Sequence, residues 1–306
     1  MIFNGNIIEE FFLQRQITYR KNYPLSKAST FRIGGNAAFA AYPHTVSELL
    51  ALLNFCKSKL IYHAVIGNAS NVLFSDEGFD GIVIFTSELT QINVEGNTLH
   101  AECGVPLTFL SGIAQKNGLG GFEFAYGIPG TLGGAVYMNA GAYGGEMNDI
   151  IESVSWYDKN TGNKGVFSNS ECSFDYRDSI FQHTDLIILS AVLRLKKREC
   201  ELIKADMIEY MSRRREKQPL EFPNAGSTFK RYPGYFTGKL IEEAGLKGYS
   251  VGGAQVSEKH AGFIINRENA TAADVLNLIE FVKHKIFEMN GINIECEVKF
   301  IPYSKG

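Results

Sequence analysis

An α+β fold is predicted by three features of this 306-residue sequence. Helical and strand-like segments are interleaved through the first two-thirds of the chain. Glycine-containing turns separate them, and the last hundred residues set two amphipathic helical runs against short apolar strands. The first long element follows from spacing alone. Thr45 and Glu48 stand as a capping box before Leu49, Leu50, Leu52, Leu53 and Cys56, which predicts an amphipathic helix over 45–59. LIYHAVIG (60–67) reads as a buried strand ending in the turn GNASN, and GIVIF (81–85) as a second strand.

The next elements carry equally local signals. QINVEGNTLHAEC (91–103) predicts a hairpin around Glu95, Gly96 and Asn97. Pro106 to Asn117, with Gly118 just beyond, has the proline-first, glycine-after pattern of a helix. IIESVSWYD and KGVF predict a hairpin over KNTGN, and LIILSAVLRLKK (186–197) a strand closing a domain. Helical periodicity over 199–217 places a boundary near residue 200, which divides the chain into 1–200 and 201–306. Beyond it the sequence predicts helices over 237–244 and 271–290, a strand near AGFIIN, and a last strand over 292–300.

Composition narrows the function. At 45% hydrophobic and 21% charged, the chain can bury a sizeable core. A net charge of −3 offers no general attraction to nucleic acid or an anionic membrane, so an anionic ligand has to be held by a few placed cations. Five cysteines, widely separated and without CxxC spacing, argue against a disulfide framework or a zinc site and fit free thiols in a reducing cytoplasm. The opening MIFNGNIIEEFF carries Glu9 and Glu10 within its apolar residues and does not read as a signal peptide, and no apolar run reaches membrane-spanning length.

GIPGTLGGAVYMNAGAYGGE (127–146) holds seven glycines in twenty residues. Ile128, Leu132, Val136, Tyr137, Met138 and Tyr143 are interleaved with them, which excludes a solvated linker. Two readings remain: a packed structural turn, or a loop whose backbone N–H groups meet a ligand's phosphates. GNASN (67–71), directly after a strand, offers a second such loop, although its Asn68, Ser70 and Asn71 could equally cap a turn. No GxGxxG fingerprint opens a helix, and GYFTGK (234–239) is one spacer residue short of a Walker loop. HExxH and Gly-x-Ser-x-Gly are also absent, and the six histidines are scattered.

Six segments together are more specific than any one. GNASNVLFSD (67–76), YGIPGTLGGAVYMNAGAYGGE (126–146), YRDSIF (176–181), NAGSTFKRYPG (224–234), AGLKGYSVGGAQVSEKHAGFIIN (244–266) and NIECEVKF (293–300) resemble the UDP-N-acetylenolpyruvoylglucosamine reductase (MurB) family, in that family's order from TFRIGG at residue 30 onwards. The resemblance implies an FAD-binding region of the vanillyl-alcohol-oxidase (PCMH) type, made of two α+β subdomains, and then an α+β substrate-binding domain. It implies bound FAD, NADPH as co-substrate, and a UDP-sugar enol ether reduced for peptidoglycan precursor synthesis in the cytoplasm. Fifty positions separate Arg177 from Ser227, so the chain resembles the shorter subtype, without the tyrosine-bearing insertion. Another flavin oxidoreductase of the same fold and a non-catalytic nucleotide-binding protein are the alternatives.

Site residues follow from the same resemblance. The FAD loops comprise Gly67, Asn68, Ala69, Ser70 and Asn71, and Gly127, Ile128, Pro129, Gly130, Gly133, Gly134, Asn139, Ala140 and Gly141. Arg177 matches the cation facing the substrate carboxylate, Ser227 the proton donor, and Glu297 the catalytic acid. Residues alone make Arg177 a surface ion-pair partner and Ser227 a turn residue, and alternation in INIECEV puts Glu295 and Glu297 on one polar face without choosing between them. Tyr176, Lys230, Arg231, Lys239, Lys247 and Lys259 are the substrate-binding candidates, the basic ones for the diphosphate, whereas the RRREK run at 213–217 reads as a solvated helix face. No metal site is expected.

Overall fold

The computed structural model describes residues 5–304. They form two compact units, the first drawn from residues through Lys21, Phe39–Asn68 and Gly81–Ser212, the second from Asn22–Ala38, Ala69–Asp80 and Arg213 onwards.

Helix α1 (Gly5–Arg15) buries Ile8 and Phe12, and the Phe12 ring stacks on Tyr19 with centroids 4.7 Å apart. A four-stranded sheet runs in the order Thr18–Pro24, Asn36–Tyr42, Phe79–Phe85, His63–Ile66. Its last two strands are parallel, in register from His63 opposite Ile82 to Ile66 opposite Phe85. Helix α2 (Val46–Ser58) precedes His63–Ile66 and starts as its sequence predicts, with the Thr45 hydroxyl accepting from the Glu48 amide at 3.2 Å. Leu49, Leu52, Leu53 and Cys56 are buried, the i, i+3, i+4, i+7 stripe of a helix that covers a core.

The larger sheet of the first unit is antiparallel, ordered Lys164–Ser168, Ile151–Asp158, Leu186–Arg194, Thr98–Glu102, Ile92–Glu95. Both predicted hairpins are present. Gly96 turns the first with φ 59°, and the Asp158 carboxylate shapes the second by accepting from the Asn160 amide at 2.8 Å. Helix α3 (Leu107–Lys116) begins after Pro106 and gives way to Gly118 at φ 63°. The glycine-rich stretch contains a helix that its composition conceals, α4 (Leu132–Tyr137), which packs against the strand Leu186–Arg194. Helix α5 (Cys200–Lys217) opens where the sequence places the boundary, and the change of unit falls inside it, between Ser212 and Arg213.

In the second unit, helix α6 (Thr237–Glu243) and helix α7 (Ala272–Asn290) accompany a small antiparallel sheet of Ser250–Val251, Ala254–Val256 and Ile264–Asn266. α7 lies against that sheet and buries Val275, Leu278, Ile279, Val282 and Ile286. Two early pieces of chain join the same core: Phe31 and Ile33 from one, Leu73 from the other. Val72–Phe74 runs parallel to Lys299–Ile301, and the Asp76 carboxylate takes the amides of Ala272 and Ala273 at 2.7 and 3.0 Å in the first turn of α7. Where the sequence places one boundary near residue 200, the contact-defined units are discontinuous, because parallel pairing and helix capping join residues 196 or more positions apart.

The expected strand over 292–300 is also shorter, being Lys299–Ile301 preceded by a single bridge from Cys296 to Phe229. Alternation nevertheless survives as burial: Ile292, Ile294 and Val298 are buried while Glu295 is exposed. All five cysteines are free, and burial pushes the thiols of Cys56, Cys103 and Cys172 up to about 12, so those three are poor nucleophiles.

Candidate active site

Gly67 and Asn68, the start of one expected cofactor loop, meet the other loop in the first unit. The Asn68 side-chain amide donates to the Pro129 carbonyl at 2.6 Å, and the space a Cβ on Gly67 would fill is taken by the Thr131 side chain. Ala69 adopts a left-handed conformation at φ 46°, which an alanine holds only where the surroundings impose it. In the second unit its carbonyl accepts from the Thr30 amide at 3.3 Å. Among the described residues, no protein acceptor takes the backbone amides of Asn68, Ser70 or Asn71. Consecutive N–H groups around a left-handed residue form a nest for an anion.

Residues 127–141 are held mainly through their backbone. Ile128 donates to the Ala125 carbonyl, the Gly130 carbonyl accepts from Leu107, Leu132 donates to Val105, and Gly133 donates to Cys103, at 2.8–3.0 Å. A Cβ on Gly133 would stand 2.8 Å from the Cys103 Cβ, and one on Gly141 would stand 2.7 Å from the Gly145 carbonyl oxygen. These glycines are thus required by close chain packing as well as by any ligand. Asn139, fully buried at φ 40°, is a clamp: its amide donates to the Asp175 carbonyl and its carbonyl oxygen accepts from the Asn148 amide, both at 2.9 Å. Ala140 closes the end of α4 by donating to Ala135 at 2.8 Å.

Thr131 escaped the sequence reading. Its hydroxyl is buried with no hydrogen-bond partner, beside Gly67 and 3.7 Å from where a Cβ on Gly134 would be. A buried unpaired hydroxyl costs about 1–3 kcal/mol. A ligand acceptor offsets that cost, so within the first unit the bare backbone of Gly67 and of 127–134 and an orphaned hydroxyl fit part of a bound dinucleotide such as FAD. The available signal was a hydroxyl residue set between glycines in PGTLGG.

Arg177 stands at the tip of a two-residue turn in which Asp175 and Asp178 exchange backbone hydrogen bonds at 3.1 and 3.0 Å. Its φ of 56° is one that glycine or asparagine normally supplies. Gln182 and Ser179 pin the turn to the end of α4, both donating to the Tyr137 carbonyl, at 3.0 and 2.8 Å. The guanidinium lies over the Tyr176 ring, 5.2 Å from its centroid, and donates to the Gly141 carbonyl at 2.8 Å. Several hydrogen bonds thus hold Arg177 in a conformation that costs free energy.

The segments that carry Ser227 and Glu297 are joined through their backbones in the second unit. Thr228 donates to the Gly262 carbonyl and accepts from the Glu297 amide, both at 2.8 Å, so Glu297 is paired one residue away from Ser227. The Ser227 hydroxyl donates to the Phe229 carbonyl at 3.1 Å, and the Asn71 side chain donates to the Glu297 carbonyl at 3.3 Å. Gly226, at φ 80°, lets the chain turn into this segment. His260 was not singled out by sequence, yet its Nδ1 accepts from the Gly262 amide at 3.1 Å and its ring lies beside Gly238. Burial holds its pKa below the ordinary histidine value, and Lys247 pushes the same way.

Of the cations proposed for a diphosphate, Lys230 extends the Ser227 segment, its ammonium 3.2 Å from Glu295, and Arg231 covers the Phe236 ring at 5.1 Å. Lys239, Lys247 and Lys259 each face a carboxylate, Glu243 at 3.6 Å, Glu242 at 2.5 Å and Glu221 at 3.4 Å. No group of three or more potential metal ligands is found among the described residues.

This α+β frame with its backbone-lined loops belongs to the FAD-binding class: a family model described as "FAD binding domain" matches residues 37–163. A second, described as "UDP-N-acetylenolpyruvoylglucosamine reductase, C-terminal domain", matches residues 218–301. The chain is 49% identical over 280 residues to the UDP-N-acetylenolpyruvoylglucosamine reductase of Caldanaerobacter subterraneus subsp. tengcongensis, covering 92% of each chain. It is 48% identical to that of Syntrophomonas wolfei subsp. wolfei over 281 residues, 92% of this chain and 94% of the relative. The crystal structure of UDP-N-acetylenolpyruvylglucosamine reductase (MurB) from Thermus caldophilus superposes with a TM-score of 0.79 at 34% identity, over 94% of this chain and 99% of that one. The chain belongs to the UDP-N-acetylenolpyruvoylglucosamine reductase family.

Proposed function

We propose that this chain reduces UDP-N-acetylglucosamine enolpyruvate to UDP-N-acetylmuramate for peptidoglycan synthesis, using FAD and NADPH, and that Arg177, Ser227 and Glu297 are its catalytic residues. The observation that carries the assignment of residues is the pairing of Glu297 with Thr228, which sets the carboxylate and the Ser227 hydroxyl on adjacent positions of two joined segments. The loops 67–71 and 127–141 would hold FAD through backbone amides and the Thr131 hydroxyl, and when bound it would supply the hydride, drawn from NADPH, that the enolpyruvyl methylene carbon takes.

Hydride addition drives electron density onto the substrate carboxylate. Arg177 answers it with a planar fork of donors, preorganised by the strained turn it occupies. The neighbouring carbon then takes a proton from the Ser227 hydroxyl, and Glu297 lies one paired position away to orient the carboxylate end. Lys230 and Arg231, continuing the chain from Ser227, face the diphosphate. The loop 127–141 and Arg177 belong to the first unit, and Ser227, Glu297, Lys230 and Arg231 to the second. Among the described residues no helix is long and apolar enough to cross a membrane, and the reading places the enzyme in the cytoplasm, where its nucleotide substrates are found.

Purified protein tests this directly. Yellow protein should be bleached by NADPH and recoloured anaerobically by the UDP-enolpyruvyl substrate. A bound chromophore other than flavin, or reduced flavin that the substrate leaves unoxidised, would overturn the reading.

A further inference from the structure

Three large aromatic side chains stand on the short hairpin that follows Lys230, the Tyr232 and Tyr235 rings with centroids 6.1 Å apart. Tyr232 is 37% exposed, Tyr235 52% and Phe236 65%. Exposed rings on one short turn point to a partner. Hydrogen bonds close the hairpin. Tyr235 donates to the Tyr232 carbonyl at 2.9 Å across Pro233 and Gly234, and φ 79° at Gly234 gives the proline-glycine turn its form. The buried Thr237 hydroxyl staples the base, donating to the Lys230 carbonyl at 2.6 Å and accepting from the Tyr232 amide at 3.2 Å.

The hairpin belongs to the neighbourhood of Ser227. A Cβ on Gly238, the second residue of α6, would lie 3.3 Å from the Gly262 nitrogen, and one on Gly262 would lie 3.6 Å from the Ser227 hydroxyl. Gly238 and Gly262 both border the His260 ring, and together they link the foot of the hairpin to the neighbourhood of the hydroxyl. The same order appears along the chain: Ser227, then the cations Lys230 and Arg231, then the rings. A UDP-sugar carries its groups in that sequence, with the reacting end, then the diphosphate, then the base.

We infer that Tyr235 and Phe236 form a stacking platform for the uracil ring of the substrate. The inference rests on the proposed UDP-sugar reaction. The rings present flat apolar faces at low conformational cost, Arg231 lies over Phe236 on the side of the diphosphate cations, and the stapled turn leaves little to be ordered on binding. Stacking tolerates any base, so selection of uridine comes from where the platform stands relative to the diphosphate.

The test is calorimetric titration of UDP into the flavin-loaded enzyme and its variants, with turnover measured alongside. Tyr235→Ala and Phe236→Ala should each weaken UDP binding by about five- to a hundred-fold, the scale of a lost base–aromatic stack. KM for the UDP-enolpyruvyl substrate should rise by a similar factor while kcat changes less than two- to threefold. Tyr235→Phe, which keeps the ring, should bind UDP within about twofold of wild type. Unchanged thermal denaturation shows that the variants fold. If the substrate reoxidises the wild-type flavin but the Tyr235→Ala, Phe236→Ala double variant binds UDP within twofold of wild type, the platform is wrong and the reaction stands. A rise in KM for NADPH with unchanged UDP affinity also overturns it, assigning the rings to the dinucleotide. Wild-type protein that neither binds UDP nor is reoxidised by the substrate removes the reaction and the platform together.

Discussion

The glycine-rich loops of the first unit and the Ser227 segment of the second use glycine to opposite ends. In the first, Gly67, Gly133 and Gly141 let stretches of backbone close on each other or on Thr131, and the groups left to meet a ligand are amides and one hydroxyl. In the second, Gly238 and Gly262 clear space around the side chains of His260 and Ser227, while Gly226 turns the chain. Backbone donors are fixed in position and suit a resident cofactor that stays bound. Side chains carry titratable and nucleophilic groups, and suit a substrate that must be changed and released.

Substitutions sharpen this comparison if holding the flavin and protonating the substrate separate. Ser227→Ala should have the largest effect. Flavin content and reduction by NADPH should stay near wild type, while reoxidation by the enolpyruvyl substrate falls about 10²–10⁴-fold, the contribution of a positioned acid. Rapid-mixing absorbance follows the two half-reactions separately, and wild-type reoxidation in this variant would return Ser227 to being a turn residue.

Arg177→Lys comes next. It keeps the charge and loses the fork, so the same half-reaction should slow by about ten- to a hundred-fold, as for a lost charge-assisted hydrogen bond, with flavin reduction intact. Equal slowing of both half-reactions would mean that the substitution disturbs the flavin site through the Gly141 contact instead of the substrate.

Thr131→Val tests the first unit by itself. Valine fills the same space without the hydroxyl, so the flavin-free protein should gain roughly 1 kcal/mol of stability by losing a buried unpaired group, while flavin affinity drops by about tenfold. Denaturation of apoprotein and a flavin titration read the two signs independently. Higher stability with unchanged flavin affinity would leave the hydroxyl without a ligand.

The smallest effect belongs to His260. Because burial and Lys247 hold its folded pKa below the unfolded value, the unfolded chain binds more protons at this site just below an unfolded pKa of about 6.5. The site's contribution to stability is present above that pKa and is lost as pH falls through the folded value. His260→Gln should flatten the fall in Tm between pH 7 and 5. A profile parallel to wild type would mean that the loss of stability at acid pH arises elsewhere.

Local chemistry made much of the fold legible. The Thr45 cap, Pro106 before α3, Gly96 in its hairpin and Gly291 after α7 at φ 69° act within a few residues of themselves and stand where the sequence puts them, although the Glu48 carboxylate takes the His44 amide and so leaves the capping box half formed. Helix α4 was hidden because glycines lower helix propensity, and packing against Leu186–Arg194 overrides that preference. The site was legible as motifs, without the relations among them.

The sequence by itself determined the family, through six ordered segments, and with it the candidates Arg177, Ser227 and Glu297. It also determined that Glu295 and Glu297 alternate with buried residues, because side-chain alternation is a property of extended chain. Only the tertiary structure decided that Val72–Phe74 joins Lys299–Ile301, that Asp76 caps α7, that Glu297 pairs beside Ser227, and that Thr131 is buried without a partner. Each of these depends on groups distant in sequence becoming neighbours, and desolvation or hydrogen bonding between such groups has no local signal to read.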